Sequence, residues 1–298
     1  MLKSTFLKQG DKVAIVSTAR KITLTEIQDS LEILRSWGLV PILGKTIGLE
    51  QDQFAGNDRE RADDFQRMLD DDEIKAIWCA RGGYGTVRMI DHLDFSKFKK
   101  NPKWIIGYSD ISVVHSHLNN LGIASIHGPM PVDLHKSSKE AIESLRSTLF
   151  GELVSVEILS YPKNKTGKMK GQLVGGNLSI LYSLCGSRSS LDTAGKILCI
   201  EDLDEYLYHL DRMLQNLKRN GYFDQLNGLI VGGMTKMHDN NIPFGRTALE
   251  IIEEVVKDYD FPVAYEFPFG HIEDNRTLLL GTEAELVVGE EQVKLSYI

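Results

Sequence analysis

The chain is 298 residues long, 42% of its residues are hydrophobic, and its formal net charge at pH 7 is −8. This length and apolar content support a substantial core in one large domain or two, and they exclude a disordered chain. The acidic balance argues against nucleic acid as the main partner, and the absence of an apolar run of ~18 residues or a signal-like N-terminus argues against membrane insertion and secretion.

The first half of the chain alternates between short apolar strands and amphipathic helices. The predicted strands are KVAIVST, VPILG, IKAIWCA, KWIIGYS and IASIHG. Apolar residues at helical spacing predict helices between them, and a charged helix follows the cap at NDRER. Continuous apolar strands separated by helices are typical of a parallel sheet covered on both faces, so we predict an α/β domain over residues 1–160.

The pattern changes near residue 160. The segment PKNKTGKMKG is polar, basic and contains Pro and Gly, so we predict a linker over residues 161–171. Beyond it the strands KILCIED, GLIVGG and FPVAYEFP alternate with helices, and AELVVGEEQVKLSYI has the alternation of a β-hairpin. We expect residues 172–298 to form a second, smaller α/β domain.

The three cysteines lie in apolar stretches without CxxC spacing. They are Cys79, Cys185 and Cys199. Cysteines in such positions indicate reduced, buried thiols, and they argue against a disulfide framework and against a metal site. We therefore expect a cytoplasmic protein that holds no metal and no organic cofactor.

A lone serine stands in GYSD, at the predicted turn between the fourth strand and the next helix. Ser109 or Asp110 can cap that helix, because both side chains accept hydrogen bonds from N–H groups at a helix start. Alternatively, a serine on a tight strand-to-helix turn exposes its hydroxyl at the carboxyl edge of the sheet, beside amides that can hold an oxyanion. Ile111 stands where a G-x-S-x-G turn has its second glycine, so the motif alone leaves both interpretations open.

The loop RGGYG, residues 81–85, also follows a strand and precedes a helix. Ligands of α/β sheets bind at such positions, and glycines let backbone amides approach an anion. The loop matches neither a dinucleotide nor a P-loop pattern, so a tight turn is the alternative. Arg81 ends its strand and suits a substrate carboxylate, and Tyr84 and Asn177 are the other candidate substrate-binding residues.

A serine nucleophile needs a base, and the base needs an orienting carboxylate. His271 follows a strand and a glycine in FPFGH, and Glu201 directly follows the buried strand in CIED. Asp204 and Glu205 are expected to begin the next helix, where negative charge is favourable. His127 also closes a strand, but we interpret it as a structural histidine. A site formed by Ser109, Glu201 and His271 would lie at the domain junction.

Seven segments carry a resemblance and occur in the order of one family. They are FAGNDRERADDFQRML, AIWCARGGYGTVRMID, WIIGYSDIS, SIHGPM, GQLVGGNLSIL, KILCIEDLDEYLYHLDRML and FPFGH. Over nearly its whole length the chain resembles the LD-carboxypeptidase family of serine peptidases. The resemblance implies a flavodoxin-like N-terminal domain, a smaller C-terminal domain of mixed strands, and a catalytic triad of Ser109, Glu201 and His271.

The same resemblance implies how the site works. The oxyanion amides would be that of Asp110 and one in the RGG loop, from Gly82 or Gly83. The substrate would be a murein peptide whose terminal D-alanine is joined to the L-centre of a diamino acid, cleaved by a homodimer during cell-wall recycling. Two alternatives remain: an immunity-type hydrolase of peptidyl- or acyl-adenylates, and a non-catalytic protein that binds ligands in the RGGYG cleft.

Overall fold

The computed structural model describes residues 2–298 and contains two β-sheets flanked by helices. Its first half contains five strands: β1 (Lys12–Val16), β2 (Val40–Leu43), β3 (Ile74–Cys79), β4 (Trp104–Gly107) and β5 (Ser125–His127). The helices of this half are α1 (Gln28–Ser36), α2 (Asp58–Asp70), α3 (Thr86–Met89), α4 (Ser112–Asn120) and α5 (Lys139–Leu149). None of the helices within residues 2–298 is long and apolar enough to cross a membrane.

The second half carries eight strands and three helices. The strands are β6 (Val156–Leu159), β7 (Gly167–Asn177), β8 (Lys196–Leu203), β9 (Gly228–Thr235), β10 (Val263–Ala264), β11 (Leu278–Leu280), β12 (Glu283–Val288) and β13 (Gln292–Tyr297). The helices are α6 (Leu178–Leu184), α7 (Leu207–Arg219) and α8 (Ala248–Val256).

The first sheet has the strand order β2-β1-β3-β4-β5, with β11 added beside β5. Strands β1 to β5 are parallel, and β11 alone runs antiparallel. This 2-1-3-4-5 order is the flavodoxin-like order, which confirms the predicted fold. Apolar clusters pack on both faces of the sheet, and every residue of β4 is buried, as the continuous apolar strand predicted.

The second sheet is mixed, as predicted. Its order is β10-β9-β8-β7-β12-β13-β6, with β7 to β10 parallel and the other three strands antiparallel. The C-terminal hairpin is present as β12 and β13. Helices α6, α7 and α8 bury their apolar faces on one side of this sheet in a single cluster.

The predicted linker over residues 161–171 is wrong in its second part. From Gly167 onward the chain belongs to β7, whose first residues pair only with β12, because β8 pairs with β7 from Gln172 onward. A strand segment with one neighbour can keep polar side chains on both faces, and Lys168 and Lys170 form ion pairs with Glu285. Here a linker-like composition belongs to the part of a strand that pairs with only one neighbour. The domain boundaries at 160 and 172 stay a prediction.

The chain also returns from the second half to the first sheet. In β11, Leu278 to Leu280 pair with His127 to Ser125 of β5. Strand β11 is followed directly by β12 of the second sheet, so the two sheets are joined by more than one chain crossing. The carboxyl ends of β1, β3, β4 and β5 lie along one edge of the first sheet, and this edge faces the second half of the chain at Ser109.

Candidate active site

Ser109 occupies a strained turn between β4 and α4. Its φ of +62° lies in the left-handed region, which a non-glycine residue adopts at a cost of about 1–3 kcal/mol. A Cβ on Gly107 would lie 2.8 Å from Cγ1 of Ile111, so a glycine before the serine makes room for the isoleucine after it. The turn thus accommodates Ile111 at the position where a G-x-S-x-G turn has glycine.

One hydrogen bond joins Ser109 to His271 in the second half, and a second joins His271 to Glu201. Nε2 of His271 lies 3.1 Å from Oγ of Ser109, and Nδ1 of His271 lies 2.6 Å from Oε2 of Glu201. The backbone N–H of His271 also donates to Oε2 of Glu201, at 3.1 Å. Gly270 is required at its position, because a Cβ there would lie 2.5 Å from Cγ of Glu201. The structure therefore brings together the three residues that the sequence analysis selected.

The buried Glu201 carboxylate controls the charge of the histidine. Burial lowers the pKa of His271, but the charge and the hydrogen bond of Glu201 outweigh it and raise that pKa above its ordinary value. Burial raises the pKa of Glu201, and His271 reverses this effect so that the pKa is lowered. An ionised Glu201 accepts from Nδ1–H, which leaves Nε2 free to accept the Ser109 proton.

The glycine loop after β3 packs directly on the serine turn. A Cβ on Gly82 would lie 3.2 Å from Cβ of Ser109 and 3.4 Å from the backbone nitrogen of Asp110. The buried Asp110 carboxylate accepts the N–H of Thr86, at 2.9 Å, and so ties the start of α3 to this turn. Burial raises the pKa of Asp110. The amides predicted to bind the oxyanion thus come from two segments held in contact.

These residues line a cavity of about 500 Å³ between the two halves of the chain. Its lining includes Ser109, Asp110, His271, Gly82, Gly83, Arg81 and Asn177. Tyr84 is outside the lining: its side chain is exposed and its ring centroid lies 6.2 Å from that of Phe54. Of the predicted substrate-binding residues, the structure therefore brings Arg81 and Asn177 to the cavity.

Arg81 and Asn177 already have partners within the protein. Arg81 lies 3.1 Å from Oε1 of Glu26 and donates to the backbone oxygen of Lys21. Asn177 is buried, its Oδ1 accepts the N–H of Ile180 at the start of α6, and its Nδ2 donates to Asp202 at 3.0 Å. Both side chains shape the cavity wall through these contacts.

Two neighbours of His271, one aromatic and one acidic, were not predicted from the sequence. The ring centroid of Tyr108 lies 4.8 Å from that of His271, and the Tyr108 hydroxyl donates to Oδ2 of Asp133 at 2.8 Å. Position beside Ser109 was a signal for Tyr108, whereas nothing in the local pattern marked Asp133. The acids after Glu201 also differ from expectation, because α7 begins only at Leu207 and Asp204 lies before it in the cavity wall.

His127 lies outside the cavity lining, and neither of its ring nitrogens has a hydrogen-bond partner in residues 2–298. It is fully buried beside the rings of Tyr108 and Phe269, at 5.8 and 5.4 Å between centroids. Burial lowers its pKa to about 3, so it is neutral at physiological pH. Among residues 2–298, no group of three or more His, Cys, Asp or Glu side chains is placed to hold a metal ion.

An α/β fold, a strained serine turn and a Ser–His–Glu series of hydrogen bonds such as Ser109–His271–Glu201 are typical of the serine hydrolases. Comparison with known proteins narrows the class. A family model described as the LD-carboxypeptidase N-terminal domain matches residues 13–128, and one described as the LD-carboxypeptidase C-terminal domain matches residues 170–286. The chain belongs to the LD-carboxypeptidase family, as its motifs predicted.

Three relatives show how far the similarity extends. A Bacillus subtilis protein named probable murein peptide carboxypeptidase is 35% identical over 297 residues, which span 96% of this chain and 91% of the relative. The crystal structure of muramoyltetrapeptide carboxypeptidase from Oxalobacter formigenes superposes with a TM-score of 0.88 at 27% identity, covering 96% of this chain and 98% of that one. The microcin C7 self-immunity protein MccF of Escherichia coli is 25% identical over 97% of this chain and 94% of its own.

Proposed function

We propose that this protein is a serine-type LD-carboxypeptidase that removes the terminal D-alanine from a murein tetrapeptide through an acyl-enzyme. The observation that carries the proposal is the hydrogen-bonded series from Ser109 through His271 to the buried Glu201, at the wall of one cavity. Support for the substrate class comes from the similarity to proteins named murein peptide carboxypeptidase and muramoyltetrapeptide carboxypeptidase.

In the acylation step, Nε2 of His271 accepts the proton of the Ser109 hydroxyl as its oxygen attacks the scissile carbonyl carbon. Glu201 stabilises the imidazolium that forms, in keeping with its effect on the pKa of His271. The backbone N–H of Asp110 and an N–H of the loop at Gly82 and Gly83 donate to the developing oxyanion.

The tetrahedral intermediate collapses when His271 returns the proton to the leaving nitrogen, which releases D-alanine and leaves an ester on Ser109. A water molecule then gives its proton to His271 and attacks the ester carbonyl. Collapse of the second intermediate releases the tripeptide acid and restores the Ser109 hydroxyl, so each proton taken by His271 is returned.

We further propose that the protein acts in the bacterial cytoplasm during murein recycling, as a homodimer. The three cysteines are unpaired and two of them are buried, which suits a reducing compartment. Cell fractionation tests the location, and sedimentation equilibrium tests the dimer; a monomer at micromolar concentration would contradict the second point.

The test of the reaction is mass spectrometry of the products from three substrates: a murein tetrapeptide, its all-L analogue and a peptidyl-adenylate. We expect the tetrapeptide alone to lose alanine, and Ser109→Ala to fold normally while its turnover falls by about a thousandfold or more. We expect EDTA to leave the rate unchanged. Retained turnover in Ser109→Ala would refute the serine mechanism, and loss of activity with EDTA would refute the metal-free one.

The runner-up is hydrolysis of peptidyl- or acyl-adenylates, which the similarity to MccF supports. Turnover of the adenylate without turnover of the tetrapeptide would establish this alternative. A non-catalytic binding protein would leave all three substrates unchanged, and an active-serine reagent would label it no faster than Ser109→Ala.

A further inference from the structure

A second arginine, Arg20, enters the cavity from the loop that follows β1. Strand β1 lies next to β3 in the sheet, so its loop opens beside the glycine loop that follows β3. The Arg20 side chain lies across Gly83: a Cβ on that glycine would be only 2.6 to 2.8 Å from Cδ, Nε and Cγ of Arg20. Arg20 therefore occupies the space that a side chain at position 83 would fill.

Three lysine and arginine side chains line the cavity: Arg20, Arg81 and Lys136. Two of them already form ion pairs, Arg81 with Glu26 at 3.1 Å and Lys136 with Asp133 at 2.7 Å. Arg20 forms no ion pair with any carboxylate in residues 2–298, although other arginines of the chain do. Arg20 is thus the cavity cation whose guanidinium is available to an incoming anion.

Arg20 is in a position to bind the C-terminal end of a peptide substrate. Gly82 packs on Ser109, and Gly83, the next residue, carries the stem of Arg20. A scissile carbonyl held over Ser109 places the terminal carboxylate carbon no more than about 4 Å away, since only three bonds separate the two carbons. A group that binds this carboxylate must therefore lie close to Ser109, and Arg20 meets this condition because its stem crosses the glycine loop that packs on Ser109.

We infer that Arg20, in place of Arg81, binds the terminal carboxylate of the substrate and so restricts the enzyme to the last peptide bond. This inference rests on the proposed carboxypeptidase function. A planar guanidinium donates two parallel hydrogen bonds to a carboxylate, which an ammonium cannot match. Arg81, held by Glu26 and the Lys21 carbonyl, instead ties the glycine loop to the segment that follows β1.

The test compares a tetrapeptide ending in a free D-alanine carboxylate with the same peptide ending in an amide. We expect the wild type to favour the free acid in kcat/KM by about 10- to 100-fold, and Arg20→Met to lose this preference by slowing on the free acid alone. Arg20→Lys should keep part of the preference. Arg35→Met, an exposed arginine on α1, is the matched control for loss of one positive charge and should behave as wild type.

Three results would overturn the inference. They are equal turnover of both peptides by the wild type, equal losses on both peptides in Arg20→Met, and loss of the preference in Arg81→Met with Arg20→Met unaffected. Melting temperatures show whether Arg20→Met is folded; if it is not, Arg20→Lys and Arg20→Gln provide the same comparison.

A binding measurement separates this inference from the proposed function. Calorimetry of Ser109→Ala with the free-acid peptide, against the Ser109→Ala/Arg20→Met double variant, needs no turnover. If the wild type cleaves neither peptide, the proposed function fails, while a 10-fold or greater loss of binding in the double variant still supports Arg20 as the carboxylate-binding residue. Equal binding by both variants refutes Arg20.

Discussion

The hydroxyl oxygen of Ser112 accepts a hydrogen bond from the backbone N–H of Asn177, at 2.9 Å. Ser112 begins α4, directly after the turn that holds Ser109, and Asn177 ends β7, paired in register with Glu201 of β8. This contact therefore couples the position of the nucleophile in one sheet to that of the carboxylate in the other. Gly176 directly precedes Asn177, and a Cβ on it would lie 2.3 Å from Oγ of Ser112, so the close approach of β7 to α4 requires glycine there.

We expect Gly176→Ala to lower kcat by about tenfold or more, because the added methyl forces α4 away from β7 and lengthens the Ser109–His271 hydrogen bond. The overpacking and the positive φ of +145° should also reduce the free energy of unfolding by about 1–3 kcal/mol. Steady-state kinetics and urea denaturation measure the two effects. Gly186→Ala is the matched control, since Gly186 also has a positive φ but has open space around it. Equal kinetic losses in both variants would contradict this role.

The strain at Ser109 predicts that the nucleophile costs stability. Ser109→Gly should unfold with a free energy about 1 kcal/mol greater than Ser109→Ala, because glycine adopts a φ of +62° without a Cβ penalty. Both variants should lack hydrolysis. At Ser116, inside α4, the order should reverse, since glycine is less favourable than alanine within a helix. Urea denaturation of the four variants tests the sign at each position.

The Glu201–His271 pair predicts the pH dependence of the reaction. His271 must be neutral to accept the Ser109 proton, and its raised pKa places the acidic limb of kcat/KM above the pH expected for an ordinary histidine. In Glu201→Gln the carboxylate charge is gone and burial prevails, so the pKa of His271 falls and the acidic limb moves to lower pH. The plateau should also fall by about a thousandfold, because the imidazolium loses its stabilising charge.

The pH–rate profile of Glu201→Gln, measured against that of wild type, checks both changes. Glu157→Gln, on the edge strand β6, removes an acid outside the cavity and should leave the profile unchanged. An acidic limb that stays in place, or moves to higher pH, would show that Glu201 does not set the protonation of His271.

Both halves of the chain should be needed for activity. A fragment of residues 1–161 contains Ser109 but lacks Glu201 and His271, so we expect no hydrolysis even where the fragment folds. It also lacks Leu278–Leu280, which pair with β5, so the exposed strand edge should promote aggregation. Peptide hydrolysis and light scattering at micromolar concentration measure these outcomes. Turnover by the fragment at a rate near that of the full chain would refute the assignment of the two partners.

The local residue pattern was sufficient to predict the strands and the turn on which the site residues are positioned. Continuous apolar strands predicted the parallel sheet, and the positions of Ser109, Glu201 and His271 near predicted strand ends selected residues that the fold brings together. Glu201, however, lies within β8, and His271 follows the end of β10 by seven residues. Within one sheet, parallel strands align their carboxyl ends along one edge, so residue type and position near a strand end predict which side chains face a cleft. That the two sheets meet at Ser109 is decided by the tertiary structure. Seven motifs in family order predicted the family.

The same reasoning failed where pairing between distant segments decides the outcome. Residues 167–171 have the composition of a linker, yet they form a strand because β12 supplies their hydrogen-bond partners from more than a hundred residues later. The predicted ligand role of Tyr84 rested on its place in a glycine loop, but its ring is turned towards Phe54, outside the cavity wall.

The sequence by itself determined strands β1 to β5, the serine turn and the residue types at the sheet edge, because these depend on neighbours in the chain. Only the tertiary structure decided which charges are paired. Arg20 and Arg81 both follow strands of the same sheet, and sequence alone cannot distinguish them. The distinction arises because Glu26 lies against Arg81 whereas the stem of Arg20 crosses Gly83, and ion pairs form through space between groups that the chain separates.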